Sequence, residues 1–162
     1  MPLVGSGRRF FLVVACVAAA LFVGAAAATA KPSPKTVFTA HVRAIGTQAQ
    51  RALLAMPAAA APSPVEQAAE AGQLQAVYLR VAQRLAALTP PKAIAPDFKI
   101  LVASYRIAAR NAAAWQDALL HGTAQQAAAA SHTLYLGPSY LRASAALVRM
   151  SRHGYYFGTF FR

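Results

Sequence analysis

The sequence is poor in the residues that build disulfides and acid–base sites. Its 162 residues include one cysteine, Cys16, and 4 acidic residues against 16 lysines and arginines. A single cysteine cannot form a disulfide within the chain, so stability must come from packing. A glycosidase needs two convergent carboxylates in a cleft, and four acidic residues offer little choice for such a pair.

Signatures of metal, nucleotide and nucleophile sites are also missing. None of the 4 histidines has a partner four residues away, the spacing that helical zinc sites use. The chain has no G-x-S-x-G, P-loop or G-x-G-x-x-G motif. His121 and His153 each precede a glycine where a helix is predicted to end, which favours a capping role. We therefore predict a protein that is not an enzyme and has no catalytic residues, metal or cofactor.

Alanine and positive charge are what the sequence has in excess. We count 42 alanines, and the formal net charge is +12. Alanine favours helices and disfavours strands, so the composition predicts an all-α fold. The length suits one domain, and 57% hydrophobic residues argue against a fully disordered chain.

Residues 1–30 have the pattern of a secretory signal peptide. Arg8 and Arg9 precede an uncharged run over residues 10–30, which ends in the small-x-small sequence Ala28-Thr29-Ala30. The alternative is an uncleaved membrane anchor, since 21 helical residues reach about 31 Å. Membrane contact through residues 10–30 is expected only in that case. The weakly hydrophobic, Ala-rich second half favours cleavage before Lys31.

Two further variants of this leader stay open. Arg8-Arg9-Phe10-Phe11-Leu12 resembles the core of twin-arginine signals, although Gly7 and Val13 depart from that pattern. Val13-Val14-Ala15-Cys16 loosely resembles a lipobox, but too few apolar residues precede it. In every variant the protein is expected to be exported, either secreted or held in the cell envelope.

Prolines and caps divide the remaining chain into a linker and a helical domain. Residues 31–35 are predicted to be an extended linker, and residues 36–162 a helical bundle domain. Ser63 and Glu66 form a capping-box pattern, and Gly137-Pro138 interrupts the last helix. We predict an antiparallel four-helix bundle with an interrupted fourth helix, preceded by the N-terminal signal helix. The predicted helical ranges are 36–56, 64–88, 96–121, 123–136 and 139–152.

Apolar residues at helical spacing predict the core. One face of the second helix carries Leu74, Tyr78, Val81, Leu85 and Leu88. The third helix has the clearest stripe, and Trp115 is expected at its edge. Its members are Phe98, Leu101, Val102, Tyr105, Ala109, Ala112 and Leu119. The first helix has two possible stripes, one through Val37 and Ala44 and one through Val42 and Ile45.

The end of the second helix carries a resemblance to known proteins. Leu85-Ala86-Ala87-Leu88-Thr89-Pro90-Pro91 forms L-x-x-L-x-P-P, and Arg152-His153-Gly154-Tyr155 follows the last predicted helix. Residues 65–157 resemble exported Ala-rich helical proteins of high-GC bacteria, many of them lipoproteins. The resemblance implies export and a helical fold, and it implies no site residues.

The basic excess predicts an anionic partner. Lys99, Arg106 and Arg110 fall on one side of the third helix, and Arg142 and Arg149 share a side of the last. We expect these residues to bind anionic envelope polymers or lipid head groups by attraction that salt screens. Nucleic acid is not the expected partner, because the protein is exported and lacks a recognition motif. The alternative is that the charge only keeps an Ala-rich surface soluble.

The aromatic tail after Gly154 suggests two further possibilities. Five of the seven residues 155–161 are aromatic. They could cover an open end of the bundle, or they could form a contact surface for a membrane or a second subunit. The rival to surface binding is a small-apolar-ligand binder, with a pocket between helices gated by this tail and Trp115.

Overall fold

A computed structural model describes residues 31–57 and 62–158, and this part of the chain is helical without strands. The predicted leader over residues 1–30 and the last residues of the aromatic tail lie outside the described residues. The predicted all-α class is confirmed. The helices are α1 (Pro34–Leu54), α2 (Pro64–Ala86), a 3₁₀ turn (Lys92–Ile94), α3 (Ala95–His121), α4 (Ala124–Leu136) and α5 (Pro138–Arg152).

The starts of α2 and α4 are capped by side chains, as the pattern at Ser63 and Glu66 predicts for α2. Ser63 Oγ accepts from the backbone N–H of Glu66 at 3.3 Å, and Glu66 Oε2 accepts from that of Ser63 at 2.7 Å. Thr123 and Gln126 make the same reciprocal pair at α4. The linker is shorter than the predicted 31–35, because Ser33 caps a helix that begins at Pro34.

Helices α2 and α3 form an antiparallel pair. The rings of Tyr78 and Tyr105 lie 6.1 Å apart, and nearer the start of α2 Gly72 closely approaches Gln116 near the end of α3. Val81, Leu85 and Leu101 are buried, as predicted, and Tyr105 is partly buried. Trp115 is buried rather than at the edge of the stripe. Because both helices are Ala-rich, they can pack closely along their length.

Helix α1 packs through the stripe that contains Val42 and Ile45, whereas Val37 and Ala44 are exposed. This choice brings Phe38 against Phe98, with ring centroids 5.2 Å apart. Sequence periodicity did not identify several of the buried residues, three of which are large side chains at the centre of the core. These three are Phe38 on α1, Ile94 in the 3₁₀ turn and Met150 on α5.

The start of the aromatic tail folds back onto α1. Gly154, at φ +74°, ends α5 in the left-handed conformation, as expected of a helix-ending glycine. The chain then turns so that Tyr155 and Phe157 are buried, with ring centroids 6.2 and 6.1 Å from that of Phe38. The covering role is therefore confirmed for these two residues, whereas Tyr156 is exposed.

Gly137 alone separates α4 from α5, at the predicted interruption. Its extended backbone ends α4, and Pro138 begins α5, so the two helices correspond to one interrupted segment. In the ranges 31–57 and 62–158, no helix is both long and apolar enough to cross a membrane.

Candidate functional site

The basic side chains are spread over the surface of the protein. Of the 16 lysines and arginines, Arg8, Arg9 and Arg162 lie outside the described residues, and the other thirteen residues are all exposed. Within the described part of the chain, one ion pair forms, between Arg149 and Asp97. Most of the positive charge therefore faces solvent without a counter-ion from the protein.

Three of the predicted binding residues form a ridge on α3. Lys99, Arg106 and Arg110 are exposed, and at 100° per residue their side chains leave the helix within about 40° of one another. We call these three residues the α3 ridge. They lie opposite the packed face that contains Leu101 and Tyr105. Asp117 shares this side of α3 but lies at its far end, so the ridge itself carries only positive charge.

The two predicted binding residues of α5 do not join that ridge. Arg149 Nε lies 2.7 Å from Asp97 Oδ1, so an acidic side chain already neutralises it. Asp97 and Lys99 are two residues apart and leave α3 about 160° apart around its axis. The ion pair therefore holds Arg149 on the side of α3 away from the ridge. Arg142 is exposed, and it makes no ion pair in the described structure.

Two other cations hold the tail in place, a role that sequence patterns did not identify. Lys35 Nζ donates to the carbonyl oxygen of His153 at 3.0 Å and lies 4.8 Å from the centroid of the Tyr155 ring. Arg43 Nε donates to the carbonyl oxygen of Tyr156 at 2.8 Å. Both contacts join residues more than one hundred positions apart, which no local pattern can indicate.

Two of the four acidic residues, Glu66 and Asp97, lie in the first turns of helices and have partners there. The hydrogen bonds from the Ser63 backbone N–H and from its side chain lower the pKa of Glu66 below its usual value. Asp97 lies in the first turn of α3 and pairs with Arg149. Among the residues that the structure describes, no three histidine, cysteine or acidic side chains are grouped so that they could hold a metal ion.

A cavity of about 280 Å³ lies where all five helices meet. None of its lining residues is charged. Its hydroxyl-bearing residues are Tyr78, Ser104, Tyr105, Tyr135, Ser139, Tyr140 and Ser144, and its apolar ones are Leu53, Ala108, Leu134 and Ala143. Burial raises the pKa of the Tyr78 and Tyr105 hydroxyls, and for Tyr105 the neighbouring Tyr78 raises it further. Both phenols are therefore neutral near neutral pH.

This cavity differs from the pocket that the sequence suggested. The aromatic tail lines a second hollow of similar volume, together with one side of α5 that includes Leu147 and Val148. Trp115 lines neither hollow, but its ring lies 6.0 Å from that of Tyr135 at the wall of the first. Among the described residues, the tail and Trp115 do not line one pocket, so the predicted gate is wrong for this part of the tail.

The similarity of residues 65–157 to exported Ala-rich proteins stays a prediction. It rests on the L-x-x-L-x-P-P sequence at the end of α2 and on Arg152-His153-Gly154-Tyr155 at the end of α5. Comparisons with protein-family models, with curated proteins and with solved structures each give no match.

Proposed function

We propose that this protein is an exported, non-enzymatic component of the cell envelope or extracellular space that binds anionic surface material. Its scaffold is an antiparallel four-helix bundle in which α4 and α5 form the interrupted fourth helix. The partners are anionic envelope polymers or lipid head groups. The observation that carries the proposal is the exposure of thirteen basic residues with one ion pair among the described residues.

The α3 ridge is the part of this surface best suited to bind a partner. Arg106 and Arg110 are one helical turn apart, and Lys99 extends the same side of the helix toward its start. A rigid helix can present all three charges to an extended anion without changing conformation. Each contact with an exposed anion is weak, so several must act together and salt must weaken them.

Export supports an envelope partner over nucleic acid. The leader pattern over residues 1–30 favours secretion, or anchoring to the membrane by the N-terminal helix if it is not cleaved. The alternative for the charge is solubility alone, because exposed lysines and arginines also oppose self-association. The two roles differ in one respect, since a binding surface depends on where the charges lie and solubility depends on their number.

A charge-neutralising double variant tests the ridge. We expect Arg106→Gln with Arg110→Gln to weaken binding to vesicles containing phosphatidylglycerol and to give a shallower dependence of binding on salt. Glutamine keeps helix propensity nearly constant, so the fold should be unchanged. Vesicle cosedimentation over a salt series measures both quantities, and a teichoic acid column provides the polymer counterpart.

The matched control is Arg80→Gln with Arg84→Gln on α2. These residues have the same spacing and are exposed, so the variant removes the same charge from another surface. Circular dichroism checks the fold of both variants, because Arg84 also donates a hydrogen bond to Gln48. Equal binding by wild type and both variants at every salt concentration would leave the charge as a solubility device. Equal weakening in both variants would mean that binding depends on diffuse attraction to the whole basic surface and not on the α3 ridge.

A further inference from the structure

The cavity between the five helices has the composition of a small-molecule site that is separate from the basic surfaces. Leu53 reaches it from α1, Tyr78 from α2 and Tyr105 from α3, and residues on either side of Gly137 complete the wall. Its volume of about 280 Å³ is close to the lower end of the range of about 300–1,000 Å³ for ligand pockets. It therefore suits a compact, ring-sized molecule.

Two serine hydroxyls that line this cavity are available to a ligand. Ser104 and Ser139 are each 5% exposed and line the cavity. Within the described part of the chain, neither serine side chain makes a hydrogen bond. Every side-chain polar atom that is fully buried in this part of the chain does have a hydrogen-bond partner. Both hydroxyls must therefore be open to the cavity. A hydroxyl that is open to the cavity can hydrogen-bond to a molecule there, so a ligand oxygen bonded to either serine would be stabilised.

The lining also restricts the charge of the ligand. No lysine, arginine, histidine or acidic residue lines the cavity, so a charged ligand would lose hydration without gaining an opposite charge. Leucine and alanine side chains supply apolar contact, and the tyrosine rings supply flat surfaces. The pocket can thus hold an apolar body and hydrogen-bond to one or two oxygens on it.

We propose that this cavity binds a small uncharged ring compound that bears a hydroxyl or carbonyl group, with Ser104 and Ser139 as its hydrogen-bonding partners. The ligand lies between Tyr78 and Tyr105 on one side and the α4–α5 junction on the other. This inference does not depend on the proposed surface binding, because the α3 ridge takes no part in the cavity.

Trp115 provides a reporter for this site. It is the only tryptophan of the chain, it is buried, and its ring touches that of Tyr135 in the cavity wall. Cyclohexanol and cyclohexanone are suitable probes because they do not emit in the tryptophan range. We expect both to change the fluorescence of Trp115 in the full-length chain saturably. Cyclohexanecarboxylate, which has the same ring with a negative charge, should give no saturable change.

Two variants and a matched control locate the signal. Ala143→Leu places a larger side chain in the cavity and should abolish saturable binding, whereas Ala145→Leu makes the same change at an exposed position of α5 and should bind like wild type. Ser104→Ala removes one hydroxyl without adding volume and should weaken cyclohexanol binding about three- to tenfold. Circular dichroism and thermal unfolding check the fold of each variant.

Three results would overturn this inference. They are the absence of a saturable response to either neutral probe in the wild type, unchanged binding in both folded cavity variants, and equal binding of the carboxylate. If Ala143→Leu does not fold, the Ser104→Ala titration decides alone. Cyclohexanol binding that does not change with salt would show that the cavity is distinct from the surface proposed to bind anions.

Discussion

Tyr105 shows how one residue links the packing of the core to the chemistry of the cavity. Its ring packs near that of Tyr78, and its hydroxyl belongs to the uncharged lining. Burial raises the pKa of both phenols, because a phenolate would lose hydration in this environment. The folded protein therefore retains these protons at pH values where the unfolded chain releases them.

We expect stability to fall as the pH rises above about 10, where unfolded tyrosine loses its proton. Below that pH both states hold the proton and the effect is absent. Urea unfolding at about pH 9 and about pH 11 measures the change. Tyr105→Phe should make the fall shallower, since phenylalanine has no proton to lose. An identical fall in wild type and in a Tyr78→Phe, Tyr105→Phe double variant would contradict this assignment.

At the scale of elements, the α2–α3 pair is the centre of the fold. Its antiparallel packing buries Val81, Leu85 and Leu101, and α4 and α5 then pack on α3. Small alanine side chains allow the helices to approach one another closely. The few large side chains must then fill the space that remains between the helices. Loss of one of them leaves a cavity that neighbouring alanines cannot fill.

Leu85→Ala should destabilise the protein by about 2–5 kcal/mol, because Leu85 is completely buried. Leu79→Ala is the matched control on the same helix, where the side chain is 43% exposed, and it should cost less than about 0.5 kcal/mol. Urea unfolding of the two variants measures the difference. A cost below about 0.5 kcal/mol at Leu85 would mean that this face of α2 is not tightly packed.

At the scale of the whole molecule, we expect the sequence to have two parts with different roles. Residues 1–30 are expected to direct export, and α1 to α5 form the helical domain. If the leader is removed, Arg8, Arg9 and Cys16 leave with it, and the released protein has no cysteine. Its stability would then depend entirely on the packing and the tail contacts described above.

Protein recovered outside the cytoplasm should begin at Lys31. The reason is that Ala28-Thr29-Ala30 has the small-x-small form that signal peptidase accepts, at the end of an uncharged run. N-terminal peptide mass spectrometry of the culture medium and of the membrane fraction measures this. Intact Met1 or Pro2 ends in the membrane fraction would favour the anchored form instead.

Much of the helical pattern and the α3 ridge could be predicted, but the cavity and the pairing of Arg149 could not. The cap at Ser63 and the interruption at Gly137 depend on residues a few positions apart, so local rules identify them. Ser104 looked like an ordinary helical residue, and only its position opposite the α4–α5 junction makes it a candidate ligand group. Arg149 was predicted as a binding residue, and its pairing with Asp97 depends on a contact between distant helices.

The sequence by itself determined the helix ends to within two residues and which faces of α2 and α3 are apolar. Capping, proline geometry and helical periodicity act within one or two turns, so they do not need the fold. Only the tertiary structure decided which stripe of α1 is buried, where the start of the tail lies and how residues from five helices together line an uncharged cavity. These features depend on packing between residues far apart in the chain, and no local preference specifies it.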